Sequence, residues 1–297
     1  MIDRAASRRL ARTLFLAAAL AVCGTATAQV YDEIPYVATP QESVERMLQM
    51  AQPGPNDFLI DLGSGDGRFV ITAAQRYGTR GLGVEIDGWL LEISNKAAKD
   101  AGVAHLVEFR NEDLFQTDIS QATVVTMYLL ESVIMSLRPR LLKELRPGSR
   151  LASHHYALGA WKPDQKQHAQ GQRYPVFLWI VPADAAGTWE MMVPLDRNRE
   201  RTYRVTLAQS FQELSGHADT ENLRLMVNEP RLSGERIEFQ VTDDLDYGRV
   251  TWRVTGRVNG DVIEGTVKAS PVNSLHFPLP EVEAPVRAIR VKRADAK

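Results

Sequence analysis

An α/β fold with a doubly wound, mostly parallel sheet, followed by a small antiparallel all-β domain, is the architecture that three features of this sequence predict. The stretch Asp57-Phe58-Leu59-Ile60-Asp61-Leu62 is a short, mostly apolar run. Glycines at 63, 65 and 67 follow it, and then a helix-compatible run from Phe69 to Arg76. From residue 57 to residue 155, strand-like and helix-like runs alternate, which implies parallel strands with crossover helices on both faces. Residues 188–293 lose the helical period and show short alternating runs with close turns, the pattern of an antiparallel sandwich or small barrel.

At the N-terminus, Arg4, Arg8, Arg9 and Arg12 precede an apolar core from Leu14 to Val22. That core falls short of the ~20 residues a spanning helix needs. Ala26-Thr27-Ala28 fits a cleavage site, so residues 1–28 read as a signal peptide, with export to the periplasm and Gln29 as the mature start. An uncleaved membrane anchor is the alternative, and no transmembrane span is expected beyond this segment. Cys23, the one cysteine, lies inside it, so no disulfide or thiol chemistry is expected in the mature chain. Basic and acidic residues nearly balance, 35 against 37, and no basic excess points to a nucleic-acid partner.

Prolines keep Ile34 to Pro40 extended. Thr39 or Gln41 can cap a helix over 42–52, where Val44, Met47, Leu48 and Ala51 fall at helical spacing. Strands then fit 57–62, 81–86, 105–110, 122–129 and 149–155; helices fit 67–77, 88–101 and 131–145. A late strand runs from Tyr174 to Val181. Beyond the small-residue linker Ala183 to Gly187, strands fit 201–209, 223–227, 236–242, 250–258 and 262–268, with Asn259-Gly260-Asp261 as a hairpin turn. The domains are therefore 29–186 and 187–297. Trp161, Trp179 and Trp189 flank their junction and read as packing residues.

The glycine spacing narrows the ligand. G-x-G-x-x-G would need its third glycine at 68, where Arg68 stands, and no Gly-Lys-Ser/Thr follows to make a P-loop. Asp61 and Asp66 crowd the turn, so a pyrophosphate there would meet like charge. A ligand with an ammonium and a sulfonium but no phosphate is favoured, and S-adenosylmethionine is such a ligand. Its ammonium would meet Asp61, and its methionine part the backbone of Gly63, Gly65 and Gly67. The run Gly81 to Asp87 reads as a second strand ending in acid. It places Glu85 about twenty residues past the turn, where a carboxylate accepts from ribose hydroxyls. Asp113 and Leu114, after the third strand, would cover the adenine. Turn capping is the plain alternative for both Asp61 and Asp113.

On these motifs residues 35–182 resemble the Rossmann-like class I S-adenosylmethionine-dependent methyltransferases. The N/D-P-P-Y/F motif is absent, since Met127-Tyr128-Leu129-Leu130-Glu131 stands there. That argues against a DNA-adenine or glutamine methyltransferase. Tyr36-Val37-Ala38-Thr39-Pro40, the glycine loop, Thr126 to Leu130 and Ser153-His154-His155-Tyr156 resemble a narrower group, the lysine methyltransferases of the ATP synthase c subunit and their bacterial relatives. Glu131 and His155 depart from that group's pattern. The resemblance implies a lysine of a protein substrate as acceptor, and adds Tyr36 and Thr39 to the cofactor residues. Tyr128 and His154 are the catalytic candidates, and no metal is expected. Adjacent His154 and His155 cannot both face inward from one strand. An exported binding protein that keeps this body without catalysis is the competing reading, since the donor is a cytoplasmic metabolite.

Overall fold

The computed structural model describes residues 36–195, 199–245, 248–272 and 281–294; the signal-peptide reading of 1–28 lies outside them. The chain divides into two units between Val37 and Ala38, and both sheets belong to the second.

The first sheet follows from the near-continuous apolar strands. Strands β1 (Phe58–Leu62), β2 (Arg80–Glu85), β3 (Val107–Asn111), β4 (Val124–Met127) and β5 (Arg150–His154) run parallel, in the order β3-β2-β1-β4-β5. Antiparallel strands β7 (Pro175–Ile180) and β6 (Gln165–His168) extend the β5 edge. Helix α1 (Gln41–Ala51) precedes β1. Helices α2 (Arg68–Tyr77), α3 (Gly88–Asp100) and α4 (Glu131–Glu144) follow β1, β2 and β4. Strand alternation splits the core in two. Leu59, Val124 and Ala152 pack with Val44, Met47 and Leu48 of α1. Ile60, Val125 and Leu151 pack with Ile134, Leu137 and Leu141 of α4. Each of these buried side chains except Ala152 stabilises by ~1.5–3 kcal/mol. Strand order reverses between β1 and β4, which opens a crevice at their carboxyl ends.

The helix cap differs from expectation. Pro40 occupies the cap position without a side-chain bond, and Gln41 is already helical. Proline already lacks an N–H, and its fixed φ suits the start of a helix. Thr39 serves by its carbonyl instead, which accepts from Arg68 Nη1.

The second sheet is a closed antiparallel barrel. Its strands are β8 (Gly187–Pro194), β9 (Glu200–Ser210), β10 (Glu213–Asp219), β11 (Arg224–Ser233), β12 (Arg236–Leu245), β13 (Gly248–Asn259), β14 (Val262–Val272) and β15 (Val282–Arg293). Asn259 pairs with Val262 across the expected two-residue turn, where Gly260 takes φ +58°. Inward positions such as Phe239, Val241, Trp252 and Val254 fill the interior. Strands β6, β8, β10 and β15 lie outside the sequence-based expectation. In β6 (Gln-Lys-Gln-His) and β10 (Glu-Leu-Ser-Gly-His-Ala-Asp) too few apolar positions recur to set a period.

The sheet body and the barrel touch through side chains. Phe211, in the β9–β10 turn, stacks on Trp161 with centroids 5.7 Å apart and planes 4° from parallel. Gln212 Nε2 donates to the Lys162 carbonyl at 2.7 Å. The small-residue segment is no loose tether: Ala183 and Ala185 are buried in the barrel core, and Gln209 Nε2 donates to the Ala183 carbonyl.

Candidate functional site

Strand β1 delivers Asp61 to the crevice, and the glycine turn then carries the chain into α2. Gly63, Gly65 and Gly67 have φ of +74°, +54° and +80°, a region that disfavours any side chain with a Cβ. A Cβ at Gly63 would sit 2.8 Å from Leu129 Cδ2, so Tyr128-Leu129-Leu130 lies against the turn. A Cβ at Gly67 would meet Phe109 Cζ at 2.6 Å and Ser94 Cβ at 2.9 Å. The third glycine thus answers to packing of α2 against β3 and α3, whereas the spacing alone assigns it to a cofactor.

Asp61 is almost wholly buried. Thr126, its register partner on β4, donates its hydroxyl to Asp61 Oδ1 at 2.6 Å. This bond runs across the sheet, so Asp61 is not the turn cap. Burial pushes its carboxyl up to about 8; the Thr126 bond opposes the shift, and the charges of Glu85 and Asp66 add to it. Glu85 ends β2 and is held by backbone amides. Oε2 accepts from Gly65 N at 2.9 Å, and Oε1 from Ile86 N and Asp87 N at 2.8 and 3.1 Å. The acid and the glycine turn are therefore tied to one another. A carboxylate oxygen has room for a second donor, so ribose hydroxyls remain bindable.

Asp113 does cap its turn: Oδ1 accepts from Phe115 N at 2.8 Å. Its loop is clamped by a residue that the motifs do not mark. Arg140 of α4 donates to the carbonyls of Leu114, Phe115 and Thr117 and pairs with Glu144. The Arg140/Glu144 spacing is the one signal available in the sequence, and it reads as an ordinary helix pair. Thr39 is buried in the second unit, whereas Tyr36 belongs to the first and is half exposed.

Beyond Tyr128 lies a group of rings at the carboxyl ends of β4 and β5. Tyr128 is 4.4 Å from His154, centroid to centroid. His155 stacks on Tyr174 at 3.7 Å and on Tyr156 at 4.1 Å. Strand alternation would put the two histidines on opposite faces. β5 instead ends at His154, and His155 takes φ +70°, so both rings join one cluster. His154 is buried, its Nδ1 has no hydrogen-bond partner, and burial pushes its imidazole down to about 4, with His155 adding. Burial also raises the Tyr128 phenol. Among the described residues, no group of three His, Cys, Asp or Glu could hold a metal ion.

A protein-lysine N-methyltransferase of Saccharolobus islandicus (strain REY15A) is 38% identical over 151 residues, which are 50% of this chain and 94% of that enzyme. The chain belongs to that enzyme's methyltransferase family. The family described as ANTKMT methyltransferase domain matches residues 61–165 of this methyltransferase. The mouse lysine N-methyltransferase of the ATP synthase c subunit is 32% identical over 47% of this chain, which spans only 54% of the mouse enzyme. A crystal structure described as an RNA methyltransferase from Salinibacter ruber with S-adenosyl-L-homocysteine is 47% identical. It covers 55% of this chain and all of its own, with a TM-score of 0.48.

S-Adenosylmethionine is the donor this family uses, and the residues present fit it. The groups acting on the buried Asp61 carboxyl are a hydroxyl and two further carboxylates, with no cation among them. An ammonium group would supply the missing charge. Gly63 is part-exposed beside this carboxyl, whereas Gly65 is buried and its amide is tied to Glu85 on the next strand.

Proposed function

We propose that this methyltransferase places a methyl group on a lysine side chain of a protein. The observation that carries the reading is the archaeal protein-lysine N-methyltransferase, matched along almost its whole length. Bound S-adenosylmethionine would supply an electrophilic methyl on a sulfonium, whose C–S bond breaks as the acceptor nitrogen bonds to carbon. Everything else is alignment. Asp61 would bind the donor's ammonium, the Gly63–Gly65 backbone its methionine part, and Glu85 the ribose. The Asp113–Thr117 loop, held by Arg140, would cover the adenine. Tyr128 and His154 would face the acceptor.

The test is methyl transfer from tritium-labelled S-adenosylmethionine into protein extract and, separately, into total RNA. Label is expected in protein and, after acid hydrolysis, in methyl-lysine. Label confined to RNA would overturn the reading. We further propose that residues 1–28 direct export; protein recovered from the cell envelope should begin at Gln29, and an intact N-terminus in the membrane fraction would indicate an anchor instead.

A further inference from the structure

The ring cluster beyond the glycine turn is more than packing. Its members come from three places in the chain: Tyr128 after β4, His154 and His155 at the end of β5, and Tyr174 just before β7. Leu129 lies against Gly63, and Tyr128 stands two residues beyond Thr126, the partner of Asp61. The rings therefore begin where the donor's methionine end would lie. Tyr174 and Leu130 are exposed at the outer rim, so the cluster opens to solvent. Between rim and turn the cluster offers ring edges, phenols and imidazoles, with His155 stacked between Tyr174 and Tyr156, and no carboxylate belongs to it. A cation stands at the rim: the Arg173 guanidinium lies 5.5 Å from the centre of the Tyr174 ring.

We propose that Tyr128, His154, His155 and Tyr174 form the pocket that receives the acceptor lysine, with His154 accepting a hydrogen bond from its terminal nitrogen. The inference rests on the lysine reading above and names the residues that serve it. A lysine side chain is four methylenes with a polar tip, which suits a site walled by rings and ending in one acceptor. A buried polar atom without a partner costs ~1–3 kcal/mol, and His154 Nδ1 is such an atom. The histidine is neutral at pH 7, so a ring nitrogen is free to accept. It fixes the direction of the amine rather than acting as a strong base. The amine loses its proton to water on entering, because apolar surroundings disfavour its charged form.

The test uses two analogues of S-adenosylhomocysteine in which nitrogen replaces sulfur and carries a two-carbon linker; in the amine arm the linker continues through an NH to a butyl chain, and in the butyl arm a CH2 stands in place of that NH. Titration calorimetry on the purified protein should show the amine arm binding at least tenfold more tightly than the butyl arm. His154→Phe should reduce that gain below twofold with S-adenosylhomocysteine affinity unchanged, and His154→Asn should retain it. If His154→Phe fails to fold, Tyr174→Ala serves, since that side chain is at the surface; it should weaken both arms and spare S-adenosylhomocysteine. Equal gain in His154→Phe, or no difference between the arms in the wild type, overturns the pocket and leaves the lysine reading standing. No binding of S-adenosylhomocysteine by the wild type overturns both.

Discussion

Asp61, if it holds the donor's ammonium as proposed, would couple cofactor binding to pH. In the free protein its buried carboxyl holds a proton up to about pH 8, whereas the unfolded chain releases it near 3.8. Its contribution to stability is therefore present at low pH and is lost as pH rises through about 8. Binding an ammonium selects the ionised form and expels the proton. S-Adenosylmethionine affinity is expected to rise with pH between 6 and 8, by up to about tenfold per unit. Calorimetry in two buffers of different ionisation heat should show proton release, and Asp61→Asn should abolish both effects. Gly67 makes a different prediction. An alanine there would carry a side chain at φ +80° against the Phe109 ring. It should cost about 2 kcal/mol in urea unfolding, with S-adenosylmethionine affinity of the folded protein little changed.

Helix α4 links two parts of the site. Its Arg140 holds the loop after β3, and its N-terminus follows directly on Tyr128-Leu129-Leu130. Arg140→Ala should weaken S-adenosylmethionine binding by about tenfold, through three carbonyls left without their shared donor. Arg140→Lys should not restore it, since an ammonium cannot reach the same carbonyls as a planar fork; calorimetry on both variants checks this. The elements that are legible in the sequence share a physical reason. β1, β4 and β5 are covered on both faces, so they read as apolar runs. Asp61, Gly63 and Glu85 sit within one β1–turn–α2–β2 unit, whose spacing is local. The rest depends on distant partners. β15 carries Val282, Val286, Ile289 and Val291, but Pro285 interrupts it and its apolar positions change parity between Ala288 and Ile289, a weak strand signal unless its neighbours are known. Arg140 acts on carbonyls 23 to 26 residues away. The paired histidines meet only because β5 stops at His154 and the next residue turns left-handed.

At the scale of the whole molecule, the barrel supports the sheet that carries the site. Phe211 reaches from the barrel onto Trp161, which packs in the same core as α4, and Arg138 of α4 covers the Phe211 ring. Phe211 is only part-buried, so Phe211→Ala should cost about 1–2 kcal/mol. Calorimetric scanning is expected to show one melting transition for the wild type, broadened or divided in two in the variant. The barrel is closed by pairing of β15 with β8, strands that lie about a hundred residues apart in the chain. This seam delays closure of the barrel, because β8 has no partner on that side until residues 282–293 have emerged. Contacts so distant form late and slowly. Deleting 282–293 would leave β8 and β14 as open edges, and the shortened chain should sediment as aggregate where the full chain stays in solution. Strand β15 would then act as the latch that decides whether a newly made barrel closes or recruits its neighbours.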